Sequence, residues 1–145
     1  MKIGIVGQGY VGTAVKTVFE KHYKVNTFDL NGNCNCNSLL DLVNKSDIIF
    51  VCVPTPMNND GSCYLGIVED VIKQINSMSE MYTYITKGKI VAIKSTIPPG
   101  TTERLNEEND NITVIFNPEF LTEANFIEDF KNQNRIIIGG VRPAS

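Results

Sequence analysis

The chain has little of what marks several classes of function. It carries no excess of positive charge: 13 Lys and Arg stand against 16 Asp and Glu, a net charge of −3. It therefore offers no electrostatic footprint for nucleic acid or an anionic membrane surface. No apolar run approaches the ~20 residues of a membrane-spanning helix, and the N-terminus opens on a strand pattern with no basic leader or cleavage site. A cytoplasmic address is expected. The single histidine, His22, falls near the end of the first predicted helix and reads as a helix-end residue rather than a catalytic base. The four cysteines supply one Cys34-x-Cys36 pair, with neither a second pair nor paired histidines to complete a zinc site, so free thiols and no metal are expected. Asn44-Lys-Ser46 and Asn111-Ile-Thr113 are glycosylation-type triplets with no secretory context. No repeat or low-complexity linker divides the 145 residues, which read as one domain.

What is present is organised around Lys2-Ile-Gly-Ile-Val-Gly-Gln-Gly-Tyr-Val-Gly12, an apolar run of strand length that feeds a glycine-rich turn and then a helix pattern. Gly7 permits the sharp turn, Gly9 lets a pyrophosphate approach the backbone, and Gly12 lets the helix pack closely on the strand. Phosphates would sit on free N–H groups at the positive end of that helix. A glycine turn alone precedes many helices. Here a second strand pattern, Lys24-Val-Asn-Thr-Phe-Asp29, ends in a carboxylate at about the ~20-residue spacing of a dinucleotide-binding unit.

Beyond the turn, Val11, Ala14, Val15, Val18 and Phe19 recur at helical spacing. Asn31 to Asn37 is a turn-rich loop, and Ser38 with Asp41 starts a short helix as half of a capping box. Asp47 to Val53 is nearly continuous hydrophobe, as in a strand buried on both faces, and Pro54-Thr-Pro56 stops it. Ile67, Val68, Val71, Ile72, Ile75 and Met78 mark a further helix. Strands follow at Ile90 to Ile93 and Ile112 to Phe116, with a helix between them that ends near Glu108. Asn117-Pro-Glu119 predicts a helix start, with asparagine as N-cap and proline in the first turn. Arg135 to Gly139 predicts a sixth strand. This alternation predicts an α/β protein, a Rossmann-type, doubly wound, mainly parallel six-stranded sheet with its ligand at the carboxyl ends of the strands.

The unusual residues fall on that rim. Asp29 can accept hydrogen bonds from both hydroxyls of an adenosine ribose and would repel a 2′-phosphate, with no basic residue before Lys45 to compensate. NAD is therefore expected over NADP; a solvated strand-end acid is the plainer reading. Glu119 and Glu123, four apart on the predicted helix, could flank a substrate or simply complement the helix dipole. Ser95 and Thr96 could hydrogen-bond beside a nicotinamide or serve the turn.

Assembled, four blocks make the chain resemble the NAD-binding N-terminal domain of the nucleotide-sugar 6-dehydrogenases, the UDP-glucose and GDP-mannose dehydrogenase family. They are Gly7-Gln-Gly-Tyr-Val-Gly12, Val53-Pro-Thr-Pro56, Lys94-Ser-Thr-Ile-Pro-Pro-Gly-Thr101 and Asn117-Pro-Glu-Phe-Leu-Thr-Glu-Ala124, with Arg135-Ile-Ile-Ile-Gly139 also fitting. The first is shared with many dehydrogenases, and the last two blocks in this order are specific. The resemblance implies that Gly7, Gln8, Gly9, Tyr10, Val11, Gly12 and Asp29 bind NAD. It implies further that Val53, Pro54 and Thr55 line the cofactor path, that Ser95 and Thr96 approach the nicotinamide, and that Glu123 contacts the reacting end. Glu119, Phe120, Leu121 and Glu123 would hold the sugar. Family enzymes oxidise the sugar C6 alcohol to an acid with two NAD through a cysteine thioester, and Thr96 and Glu119 match the residues that position or activate the hydrolytic water.

The chain departs from that pattern in three places. No cysteine stands in the family's Gly-Gly-x-Cys setting, which belongs, with a lysine and an asparagine, to later domains. The Asn31 to Ser46 segment is short, and no basic residue directly follows Asp29. The expected partners are a UDP- or GDP-linked sugar and a missing C-terminal domain or partner subunit. The alternative is a stand-alone, non-catalytic NAD-binding or regulatory module. A β-hydroxyacid dehydrogenase relative shares the glycine turn but not Asn117 to Ala124.

Overall fold

The structure, a computed structural model, describes residues 1–80 and 88–140. In chain order its elements are β1 (Lys2–Val6), α1 (Tyr10–Phe19), β2 (Lys24–Phe28), α2 (Leu39–Lys45), β3 (Ile48–Val51), α3 (Gly66–Glu80), β4 (Lys89–Ile93), α4 (Thr101–Glu107), β5 (Ile112–Phe116) and α5 (Phe126–Asn132). The described strands form one parallel sheet in the order β2-β1-β3-β4-β5. No helix among the described residues is long and apolar enough to cross a membrane.

Helices cover both faces because the strands are apolar on both. Ile3 and Ile5 of β1 pack with Ala14 and Val15 of α1 and Phe130 of α5. On the other face, Leu42 and Val43 of α2, Val68, Ile72 and Ile75 of α3 and Leu105 of α4 bury against Ile49, Val51, Val91, Ile93 and Val114. The helical spacing predicted for α1 and α3 is realised in these buried positions, and α2 begins as predicted with the Asp41 N–H donating to Ser38 Oγ at 3.1 Å.

The short segment after β2 adds no strand, and side chains close that edge of the sheet instead. The Thr27 N–H donates to Asn35 Oδ1 at 2.7 Å, and Asn35 Nδ2 donates to the Val25 carbonyl at 3.0 Å. The Cys36 N–H adds a bond to the Thr27 carbonyl at 3.0 Å. One side-chain amide thus supplies what a neighbouring strand would, which matters because unpaired backbone groups at a buried edge are costly.

Two expectations are corrected. The sixth strand is not formed among the described residues: Arg135 to Gly139 is reduced to one antiparallel bridge, Phe116 to Gly139, and Ile136 and Ile138 are 71% and 65% exposed. An apolar pattern makes a strand only where a second layer covers it, and no described element covers these side chains. Nor does a helix begin at Asn117-Pro-Glu119; α5 starts at Phe126. Asn117 cannot serve as an N-cap because its amide is engaged elsewhere, Nδ2 donating to the Ile137 carbonyl at 2.8 Å and Oδ1 accepting from Lys94 Nζ at 3.1 Å.

Candidate functional site

The carboxyl ends of the strands carry the site. At the end of β1 the chain turns through Gly7 with φ of +93°, and a Cβ there would lie 2.6 Å from the Cys52 carbonyl oxygen. Gly12 is equally constrained, since its Cβ would lie 1.9 Å from the Gly7 carbonyl oxygen, whereas a Cβ on Gly9 would meet nothing within 4 Å. The first and third glycines hold α1 against the turn, and the middle one borders open space. Helix α1 starts with no side-chain cap, so the N–H groups of Tyr10, Val11 and Gly12, ahead of the Thr13 N–H that bonds the Gly9 carbonyl, keep their donor capacity for a ligand.

Asp29 ties the turn to the end of β2. Its Oδ2 accepts from the Gln8 N–H at 2.6 Å and its Oδ1 from the Asn31 N–H at 2.7 Å. Each oxygen keeps a further lone pair, so the acceptor capacity for two ribose hydroxyls remains.

A cleft of 330 Å³ runs from Gly9, Tyr10 and Val11 across Cys52 to Thr55 and Lys94 to Thr96 to Glu119, Leu121, Thr122, Glu123 and Phe126. The structure thus brings Val53, Pro54, Thr55, Ser95, Thr96, Glu119, Leu121 and Glu123 together around the start of α1. Gly7, Gln8 and Gly12 stand behind the cleft as its support, and Asp29 lies across the turn. Phe120 is outside the lining, half exposed with the Arg135 guanidinium 5.2 Å from its ring. Ser95 is buried, and its hydroxyl donates to the Val53 carbonyl at 2.6 Å; it braces the β3 loop rather than offering a free donor. Thr96 is exposed. Glu119 and Glu123 do not share a helix face, because 117–122 is irregular chain.

Three features escaped the sequence reading. The Tyr10 and Phe126 rings pack 5.4 Å apart at the cleft, joining α1 to α5. Cys52 is not inside the strand: it follows β3 and lines the cleft. Lys94 forms an ion pair with Glu119, Nζ to Oε2 at 2.8 Å, with side chains only 3% and 8% exposed. A lysine closing a buried apolar strand was the available signal, since a charge in that position requires a partner.

Burial pushes the Cys52 thiol from 9.0 to about 12, with Lys94 opposing the rise and Glu119 adding to it. At pH 8 such a thiol stays protonated, which makes Cys52 a poor nucleophile despite its place in the cleft. Peptide-resolved iodoacetamide labelling is expected to find Cys52 slow at pH 8 and steadily faster toward pH 12; rapid labelling near neutrality would contradict this. An unfolded chain releases that proton first, so the group lowers folding stability as pH rises from about 9 toward 12.

Comparison with known proteins bears on this arrangement. The UDP-glucose/GDP-mannose dehydrogenase family, NAD binding domain, matches residues 25–145. The UDP-glucose 6-dehydrogenase of Pseudomonas aeruginosa is 33% identical over 112 residues, covering 70% of this chain and 23% of the relative. That of Haloferax volcanii is 28% identical, covering 96% and 41%. The structure of a UDP-glucose dehydrogenase from Pyrobaculum islandicum superposes with a TM-score of 0.83 at 27% identity, covering 96% of this chain and 40% of that one. The chain spans well under half the length of these relatives.

Proposed function

The chain belongs to the UDP-glucose/GDP-mannose dehydrogenase family as its NAD-binding domain, and from that premise we propose that it serves the cofactor half of a nucleotide-sugar 6-dehydrogenase in the cytoplasm. The observation that carries this reading is the continuity of one cleft from the uncapped start of α1 to a buried carboxylate. Glu119 Oε2 is buried against Lys94 as an ion pair, and Oε1 accepts from the Phe120 N–H at 2.9 Å, so the acceptor capacity left for a ligand in the cleft is that of Oε1, which keeps a further lone pair. The residues fit a dinucleotide: Gly9 leaves its cradle open, the first N–H groups of α1 receive the pyrophosphate, and Asp29 receives the adenosine ribose hydroxyls.

NAD, when bound, supplies a hydride acceptor. The chain's own residues bind and orient. Thr55 and Thr96 border the path of the nicotinamide end, with Ser95 holding the Val53 loop in place behind them. Glu119 accepts a hydrogen bond from a sugar hydroxyl or a water, a general-base role for a carboxylate on a water-accessible cleft. Glu123 and the Leu121 backbone border the same space and would contact a UDP- or GDP-linked sugar. The nucleophile for oxidation to the acid comes from the share of the relatives that this chain does not span, whether on the same or a separate polypeptide.

The second reading is a non-catalytic NAD-binding module, for which the one cysteine lining the cleft, Cys52, would have no nucleophilic role, since burial pushes its thiol up. Both readings expect the 145 residues alone to produce no NADH from UDP-glucose, UDP-N-acetylmannosamine or GDP-mannose. Adding a separately expressed domain with a Gly-Gly-x-Cys motif separates them: restored turnover supports the enzyme, and its absence supports the module. Turnover by the chain alone that Cys63→Ser abolishes would contradict both.

A further inference from the structure

Lys94 has no donor to spare for a ligand. An ammonium has three N–H bonds, and here its neighbours are Glu119 Oε2 at 2.8 Å, Asn117 Oδ1 at 3.1 Å and the Asn117 carbonyl at 3.5 Å. The Phe130 ring lies 5.4 Å from Nζ, and the Lys94 backbone N–H is fixed to the Val51 carbonyl at 2.9 Å. The side chain therefore reaches from the end of β4 to the loop after β5 and is walled in by α5. A buried ion pair of this kind adds little net stability over a well-packed apolar side chain, because desolvation offsets the attraction. Its value lies in what it orients.

Glu119 needs orienting, because it sits in irregular chain between β5 and α5 where no helix or strand fixes its rotamer. Two donors do so: Lys94 holds Oε2, and the Phe120 N–H holds Oε1 at 2.9 Å. We propose that Lys94 is the positioning residue for Glu119, clamping the carboxylate in the cleft wall through Oε2 so that the spare lone pair of Oε1 is left for the ligand, while Lys94 itself touches no ligand. This rests on the reading of the cleft given above, but the clamp can be examined without turnover.

Two probes lie inside the protein. The Phe120 amide reports the position of the carboxylate, and the Cys52 thiol, coupled to both charges, reports the pair electrostatically. In Lys94→Met, the Phe120 amide proton is expected to move upfield and exchange faster, and Cys52 labelling at pH 9 to slow by about threefold or more. Glu119→Gln should accelerate Cys52 labelling by a similar factor, and Lys94→Arg should restore the wild-type Phe120 resonance. Loosened packing alone would instead speed labelling in both charge-removing variants; that result, or an unmoved Phe120 amide, would overturn the assignment. Should Lys94→Met fail to fold, Lys94→Gln takes its place under the same criteria. Calorimetry of NAD with the wild-type chain tests the cofactor reading separately: absent binding would overturn that reading, whereas the two probes alone decide the clamp.

Discussion

Gly12→Ala is expected to abolish measurable NAD binding and to destabilise the chain by about 3 kcal/mol. The added Cβ would lie 1.9 Å from the Gly7 carbonyl oxygen and 2.9 Å from its carbon. Both are backbone atoms and cannot swing aside, so α1 must retreat from the turn, carrying its first N–H groups away from where phosphates would rest. Gly9→Ala makes the informative contrast. Its Cβ meets nothing within 4 Å, so folding should be unchanged within about 0.5 kcal/mol, while the methyl group occupies the phosphate space and weakens NAD binding by roughly tenfold or more. Urea unfolding and calorimetry on the two variants check the pair. Wild-type affinity in Gly9→Ala would show that the turn does not cradle a ligand.

Much of the fold was legible because its signals are local. The glycine spacing, the 3.6-residue period of α1 and α3, and the unbroken apolar runs of β1, β3 and β4 depend on neighbours a few residues away. The errors arose where a side chain answers to a distant partner. Asn117 followed by proline has the form of a helix start, but the asparagine amide is committed to Lys94 and Ile137, and the helix begins nine residues later. Arg135 to Gly139 has a strand's composition without the covering layer that makes one. At the site, Glu119 was singled out by its spacing to Glu123 and by the resemblance, and was placed on a helix that is not there. Its fixed orientation comes from Lys94, 25 positions earlier in the chain, and no spacing rule links the two. Cys52 was read as strand interior because the apolar run continues past the last paired residue of β3.

The choice of cofactor turns on Asp29, and there a single charge should have a large effect. Its oxygens lie against the Gln8 and Asn31 N–H groups with lone pairs left for ribose hydroxyls. A 2′-phosphate in the same place would face a carboxylate with no basic residue nearby in sequence before Lys45. Like charges so placed cost several kcal/mol, so NADP is expected to bind at least about a hundredfold more weakly than NAD. Asp29→Asn keeps the shape and one acceptor while removing the charge, and should narrow that gap to about tenfold or less. Asp29→Ala would also strip the Gln8 N–H of its acceptor and so confounds specificity with loosening of the turn.

The most direct measurement is a calorimetric titration of NAD and of NADP against the wild-type chain and Asp29→Asn at one fixed salt concentration. An NAD-binding domain of this design gives saturable binding of NAD, much weaker binding of NADP, and a preference that shrinks when the Asp29 charge is removed. Tighter binding of NADP, or a preference that Asp29→Asn leaves unchanged, would contradict it.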